Sequence, residues 1–82
     1  MDQIVRNPKQ LGASLRRVRR GAGLSQMELG EKANLRQATI SALEKGEAGS
    51  QLRTVTQVLA ALGLEMVIRD RTGADRNIED LF

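Results

Sequence analysis

Helix-stopping residues recur along this chain about every dozen positions: Asn7-Pro8, then Gly21 and Gly23, Asn34, Gly46 with Gly49, and Gly63. Between these marks the apolar residues return at helical intervals, so the chain is limited to a set of short helices rather than one long one. Asn7 followed by Pro8 reads as an N-cap and a first helical position. Leu11, Leu15, Val18 and Ala22 then form one stripe, with Arg19 on its flank. There Arg19 should be half buried and in need of a partner, while Arg16, Arg17 and Arg20 face away from it. Ser25 and Glu28 have the spacing of a capping box, and open a short helix that should run to about Ala33. Leu29 would face inward, and Gly30 would permit the close approach of another helix. Asn34 tolerates the left-handed conformation, which predicts a tight turn.

A further helix is expected from residue 37 to 45, closed by Gly46, with Ile40 and Leu43 inward and Gln37, Ala38, Ser41 and Lys45 on the other side. After a loop, Ser50 is the expected cap of a helix burying Leu52, Val55, Val58, Leu59 and Leu62. The period then changes. Residues 64–71 alternate approximately and hold the β-branched pair Val67-Ile68, which reads as a strand. One strand cannot make a sheet, so its ladder is expected to be completed by a second copy. The other readings are a continued helix or an extended arm on the core. Residues 72–82 are polar until Ile78, Leu81 and Phe82, which read either as a short motif that docks into a partner or as an unstructured end.

Composition excludes much. The chain has 82 residues, which suits one small domain and leaves no room for a ligand-sensing module. It has no Cys, no His and a single aromatic residue, Phe82, so the core must be aliphatic. Imidazole and thiolate catalysis, disulfides and the usual zinc sites are ruled out. The serines have no base beside them, and the nearest acidic pair, Glu28 and Glu31, sits on an ordinary helix surface. Enzymatic activity, a metal and a cofactor are therefore not expected. No signal-like or membrane-spanning run is present, which points to the cytoplasm. The net charge of +3 is unevenly spread. Arg6, Lys9, Arg16, Arg17, Arg19 and Arg20 stand against Asp2 alone in the first part of the chain, whereas Asp75, Glu79 and Asp80 outweigh Arg76 at its end. That asymmetry suggests a polyanion at one end.

Two short helices joined by a tight turn, the second presenting small and amide side chains, meet the needs of a helix-turn-helix. Gln37 can offer its carbonyl and amide together to an adenine, and the Ala38 methyl can meet a thymine methyl. The simpler alternative is that Gln37 and Ser41 are plain surface residues, and that Arg16, Arg17 and Arg20 are a solvated face. The run Gln26-Met27-Glu28-Leu29-Gly30-Glu31-Lys32-Ala33, then Gln37-Ala38-Thr39-Ile40-Ser41, then Leu43-Glu44-Lys45-Gly46 resembles the Xre/Cro phage-repressor helix-turn-helix over about residues 10–63. The resemblance implies an all-α, lambda-repressor-like domain of four to five short helices. It also implies that Gln37, Ala38 and Ser41 face base edges and that Gln26 clamps a phosphate and buttresses Gln37. Arg36, Lys45 and Arg16 would make phosphate or mixed contacts, and Arg19 would pair with Glu44 as a structural salt bridge. Arg36 replaces the usual Ser or Thr cap, Asn34 the usual turn glycine, and Met27 a usually polar residue.

The Leu-Gly-Leu-Glu-Met-Val-Ile run after the last helix is similar to HipB-type antitoxins. It implies that Leu64, Met66, Val67 and Ile68 pair with a dimer mate, making a homodimer with two reading heads on an inverted-repeat, double-stranded operator. It further implies a HipA-like Ser/Thr kinase toxin as partner, repression of the chain's own operon and a bacterial, nucleoid-associated location. A stand-alone phage-type repressor is the alternative, and an interaction module that no longer reads DNA is a third. The organisation expected is 1–63 for DNA binding, 64–71 for dimerisation and 72–82 for a partner-docking tail.

Overall fold

The computed structural model describes residues 2–47 and 49–71. Among them are four helices, α1 Pro8–Gly21, α2 Gln26–Ala33, α3 Gln37–Glu44 and α4 Leu52–Ala61. Ile78, Leu81 and Phe82 lie outside the described residues.

Local chemistry accounts for most of the boundaries. At the start of α1 the Asn7 side chain accepts a hydrogen bond from the Gln10 N–H at 2.8 Å, with Pro8 in the first turn where its missing donor costs nothing. Gly23, at φ 76°, turns the chain away afterwards, and Leu24 N–H returns to the Arg19 carbonyl at 3.1 Å. The capping box of α2 is complete: Glu28 N–H donates to Ser25 Oγ at 3.0 Å and Ser25 N–H donates to Glu28 Oε1 at 2.8 Å. The Ser25 backbone N–H, and after it the Ser25 side chain, hold the Glu28 carboxyl below its ordinary pKa. Asn34 ends α2 at φ 60°, ψ 45°, the left-handed turn its side chain tolerates.

Arg36 stands at the N-cap of α3 without a side-chain cap bond, as its replacement of the usual Ser or Thr implies. The cap of α4 differs from expectation by one residue, Gln51 standing there rather than Ser50. Leu52, expected inside, is 68% exposed, because it sits in the first turn of α4 ahead of the stripe that begins at Val55.

Leu15, Leu29, Ala33, Ile40, Leu43, Val55 and Val58 form the core, with Leu11, Leu35, Leu59, Ala61, Leu62 and Leu64 packed around it. Helix α2 lies against both α3 and α4, and α1 lies against α3. The Gln57 amide of α4 donates to the Ala33 carbonyl at 3.3 Å, serving one of the orphan acceptors at the end of α2.

Two glycines set the spacing. A Cβ on Gly12 would stand 2.5 Å from the Leu43 carbonyl oxygen and 2.6 Å from that of Glu44, so α1 touches the end of α3 through bare backbone. A Cβ on Gly30 would stand 2.7 Å from the Leu35 carbonyl oxygen. Gly30 thus makes room for the α2–α3 turn and for the start of α3, whose Gln37 nitrogen would stand 3.5 Å from the added carbon, and Leu35 N–H closes that turn on the Gly30 carbonyl at 2.7 Å.

The strand expected over residues 64–71 is absent within one chain: no strand ladder is present among the described residues. The physical reason is the one that made a mate necessary, since a strand exists only where its donors and acceptors meet another.

Gly12→Ala is expected to lower stability by about 1–3 kcal/mol despite its gain in helix propensity, because backbone cannot give way to the new methyl. Gly21→Ala, with nothing within 4 Å of its added carbon, is expected to be neutral or to stabilise by up to about 1 kcal/mol. Urea unfolding followed by circular dichroism compares the two.

Candidate nucleic-acid interface

The site is assembled on α3 and on the buried group that anchors its far end. Ile40 and Leu43 hold the inner face of α3 in the core, 1% and 4% exposed, which turns the opposite face outward. On that outer face Gln37 and Ala38 are exposed, in the first turn, and Ser41 is half-buried one turn on. Lys45 is exposed at the C-cap and Arg36 at the N-cap, so cations flank α3 at both ends. Arg16 is exposed on α1.

Glu44, the last residue of α3, is held from three directions. Arg19 Nε donates to its Oε2 at 2.7 Å and Arg19 Nη2 donates to its Oε1 at 3.0 Å, a two-pronged pair that joins α1 to α3. Gln26 Nε2, from the first turn of α2, donates to the same Oε1 at 3.1 Å. The third nitrogen of Arg19 donates to the Leu24 carbonyl at 2.8 Å, tying in the α1–α2 turn. The Arg19 and Glu44 side chains are 10% and 3% exposed. The hydrogen bonds that Arg19 donates to Glu44 hold its guanidinium above its ordinary pKa, against the opposing effect of burial. One carboxylate therefore joins both helices of the helix-turn-helix to the helix before them.

The structure thus brings Arg19, Glu44 and Gln26 together, and places Gln37, Ala38, Lys45 and Arg36 on the surface. It does not join Gln26 to Gln37: the Gln26 amide is engaged by Glu44. This link escaped sequence reasoning, as did the Leu24 carbonyl, although the stranded position of Arg19 marked the need for an acceptor. Met27 is 58% exposed beside Gln26 at the start of α2.

The arrangement suits a polyanion surface better than a reaction. No group of acidic side chains among the described residues could hold a metal ion, and no helix there is long and apolar enough to cross a membrane. A depression of about 740 Å³ is bordered by residues 2–8 and 67–71 together with Leu43 and Val55, and none of Gln37, Ala38 or Ser41 lines it. What α3 offers is a convex face of small and amide side chains, a shape that enters a groove.

Comparison with known proteins agrees with this geometry. A family model described as a helix-turn-helix domain matches residues 10–72. Antitoxin HipB of Escherichia coli strain K12 is 35% identical over 72 residues, covering 88% of this chain and 82% of that protein. A putative antitoxin HigA2 of Mycobacterium tuberculosis is 37% identical over 60 residues, 72% of this chain and 59% of its own length. Among solved structures, a HipA-HipB-O2-O3 complex contains a chain that superposes with a TM-score of 0.80 at 34% identity, covering 87% of this chain and all of that one. A HipB-O4 20mer complex matches at the same TM-score and identity.

Breaking the buried pair from either side, by Arg19→Ala or Glu44→Ala, is expected to cost about 3 kcal/mol, because each leaves the other charge stranded in a nearly dry site. Urea denaturation of the two variants measures it.

Proposed function

From the premise that the chain belongs to the helix-turn-helix domain family, among relatives of the HipB antitoxins, we propose that it is the DNA-binding antitoxin of a toxin–antitoxin pair. It neutralises a HipA-like Ser/Thr kinase toxin and represses its own operon. The observation that carries this reading is the match, over most of this chain and all of the other, to a HipB chain solved in a complex with HipA. The chain is not an enzyme. Its working place is the cytoplasm, at the nucleoid.

In this reading residues 1–63 bind DNA and α3 enters the major groove. Gln37 pairs with an adenine edge, Ala38 packs on a thymine methyl and Ser41 supplies a hydroxyl deeper along the helix. Arg36, Lys45, Arg16 and Gln26 make phosphate or mixed contacts, of which those to phosphate set register without reading sequence. Residues 64–71 pair with those of a second copy, and the dimer sets two α3 helices about 34 Å apart, or a multiple of that, on an inverted repeat. Residues 72–82 dock the toxin through Ile78, Leu81 and Phe82, leaving both reading helices free.

A fluorescence titration against duplex DNA from the chain's own promoter, repeated across salt concentrations, tests the DNA reading. Gln37→Ala is expected to cost about 1–3 kcal/mol on that sequence and little on unrelated duplex. Lys45→Ala and Arg16→Ala are expected to weaken both, each reducing the salt slope by about 0.9. Absence of salt-sensitive binding by the parent chain would overturn it.

Removal of residues 72–82 is expected to weaken binding to the kinase encoded beside the chain, measured by calorimetry, while sparing the DNA titration. Equal kinase affinity with and without the tail would remove that role.

A further inference from the structure

The helical domain is complete in one copy, but the segment after it is not. Leu64 closes onto the core and donates its N–H to the Leu59 carbonyl at 2.8 Å. Beyond it Met66, Val67 and Ile68 are 54%, 66% and 96% exposed. Among the described residues, none of 65–69 makes a backbone hydrogen bond to another segment. In an extended run Leu64, Met66 and Ile68 share one face, while Glu65, Val67 and Arg69 share the other.

We propose that two copies of this segment pair antiparallel about a twofold axis through Val67, so that Met66 lies opposite the partner's Ile68 and Glu65 opposite the partner's Arg69. This rests on the dimer reading above and specifies its register. A twofold axis perpendicular to a sheet keeps each residue on the same face as its own mate. Directly opposed residues must then both be odd or both be even in number, and one residue must face itself.

The choices are few. An axis through Glu65 or Arg69 sets like charges against each other. An axis through Met66 puts Glu65 against a valine, and one through Ile68 puts Val67 against an arginine and Met66 against an aspartate. An axis through Val67 matches apolar with apolar and acid with base, each twice by symmetry. It also continues the Leu64 face outward from the core, so that Met66 and Ile68 extend an apolar surface already begun. The ion pair of Arg69 with Asp2 among the described residues, at 3.9 Å, is open to solvent, with side chains 56% and 85% exposed, and holds Arg69 weakly.

The chain has no cysteine, so a single introduced thiol reports on its own mate alone. Under mild oxidation Val67→Cys is expected to form a covalent dimer on a non-reducing gel. Met66→Cys and Ile68→Cys are expected not to, since each would lie two residues along the ladder from its mate, beyond the ~7 Å Cα reach of a disulfide. Glu65→Arg and Arg69→Glu are each expected to weaken the dimer about tenfold by sedimentation equilibrium, and the double variant to return to within about threefold of the parent.

A parent chain that sediments as a monomer would overturn the dimer and the register together. A dimer that crosslinks through Met66→Cys or Ile68→Cys instead, or one that the double charge exchange fails to restore, would overturn the register and leave the dimer standing.

Discussion

A single buried carboxylate organises this domain. Glu44 receives two hydrogen bonds from Arg19 and one from Gln26, at 2.7, 3.0 and 3.1 Å. Short helices of eight residues, as α2 and α3 both are, have little stability alone. Their relative angle must be imposed by tertiary contacts. Apolar packing supplies most of the free energy, but it is not directional, and a core of Leu, Ile, Val and Ala tolerates several arrangements. A charged acceptor on one helix with donors on two others is directional. Such a pair adds little net stability over an apolar replacement, because both charges were taken from water. Its contribution is to the geometry, which on an interface that reads base edges is what function requires.

The same need for close, fixed geometry explains the glycines at the helix contacts. Gly12 lets α1 meet the carbonyls of Leu43 and Glu44, the residues that end α3. With a side chain there, α1 would stand off and Arg19, two turns further along, would no longer reach Glu44. Gly30 does the corresponding service for the turn between α2 and α3. Close backbone approach and the buried ion pair are thus two parts of one device that sets the pose of α3. The outer face of α3 needs no such support, since Gln37 and Ala38 meet solvent until a groove receives them.

The ends of the described chain behave differently from its middle. The core closes at Leu64, and beyond it Met66, Val67 and Ile68 stay largely exposed, Val67 and Ile68 bordering an open depression with Ile4 and Val5. Ile68 at 96% exposed is not a buried side chain awaiting adjustment. An antiparallel mate would satisfy both its apolar surface and the free backbone groups at once. The basic surface and the exposed face of α3 lie within one copy, so a dimer multiplies reading heads without building them.

Much was legible in advance because it is local. Asn7-Pro8, the Ser25–Glu28 box and Asn34 act through atoms a few residues apart, and their signals survive into the structure unchanged. Burial of Leu15, Leu29, Ile40 and Leu43 follows from helical period, and the outward position of Gln37 and Ala38 follows from the same period. The pairing of Arg19 with Glu44 could be anticipated only through family likeness, because residues 25 apart carry no local mark of contact. Gly12 was not singled out at all, Gly30 serves the turn into α3 as well as the approach of that helix, and Leu52 was placed inside and lies outside. The first two depend on where one helix lies against another, the third on where α4 begins. The sequence by itself determined the four helices, the caps of the first two and most of the inward faces, because hydrogen bonding within a turn and apolar period are properties of neighbours. Tertiary structure alone decided which backbones touch and that Gln26 leans on Glu44, because those follow from the angle between packed helices, which no single segment encodes.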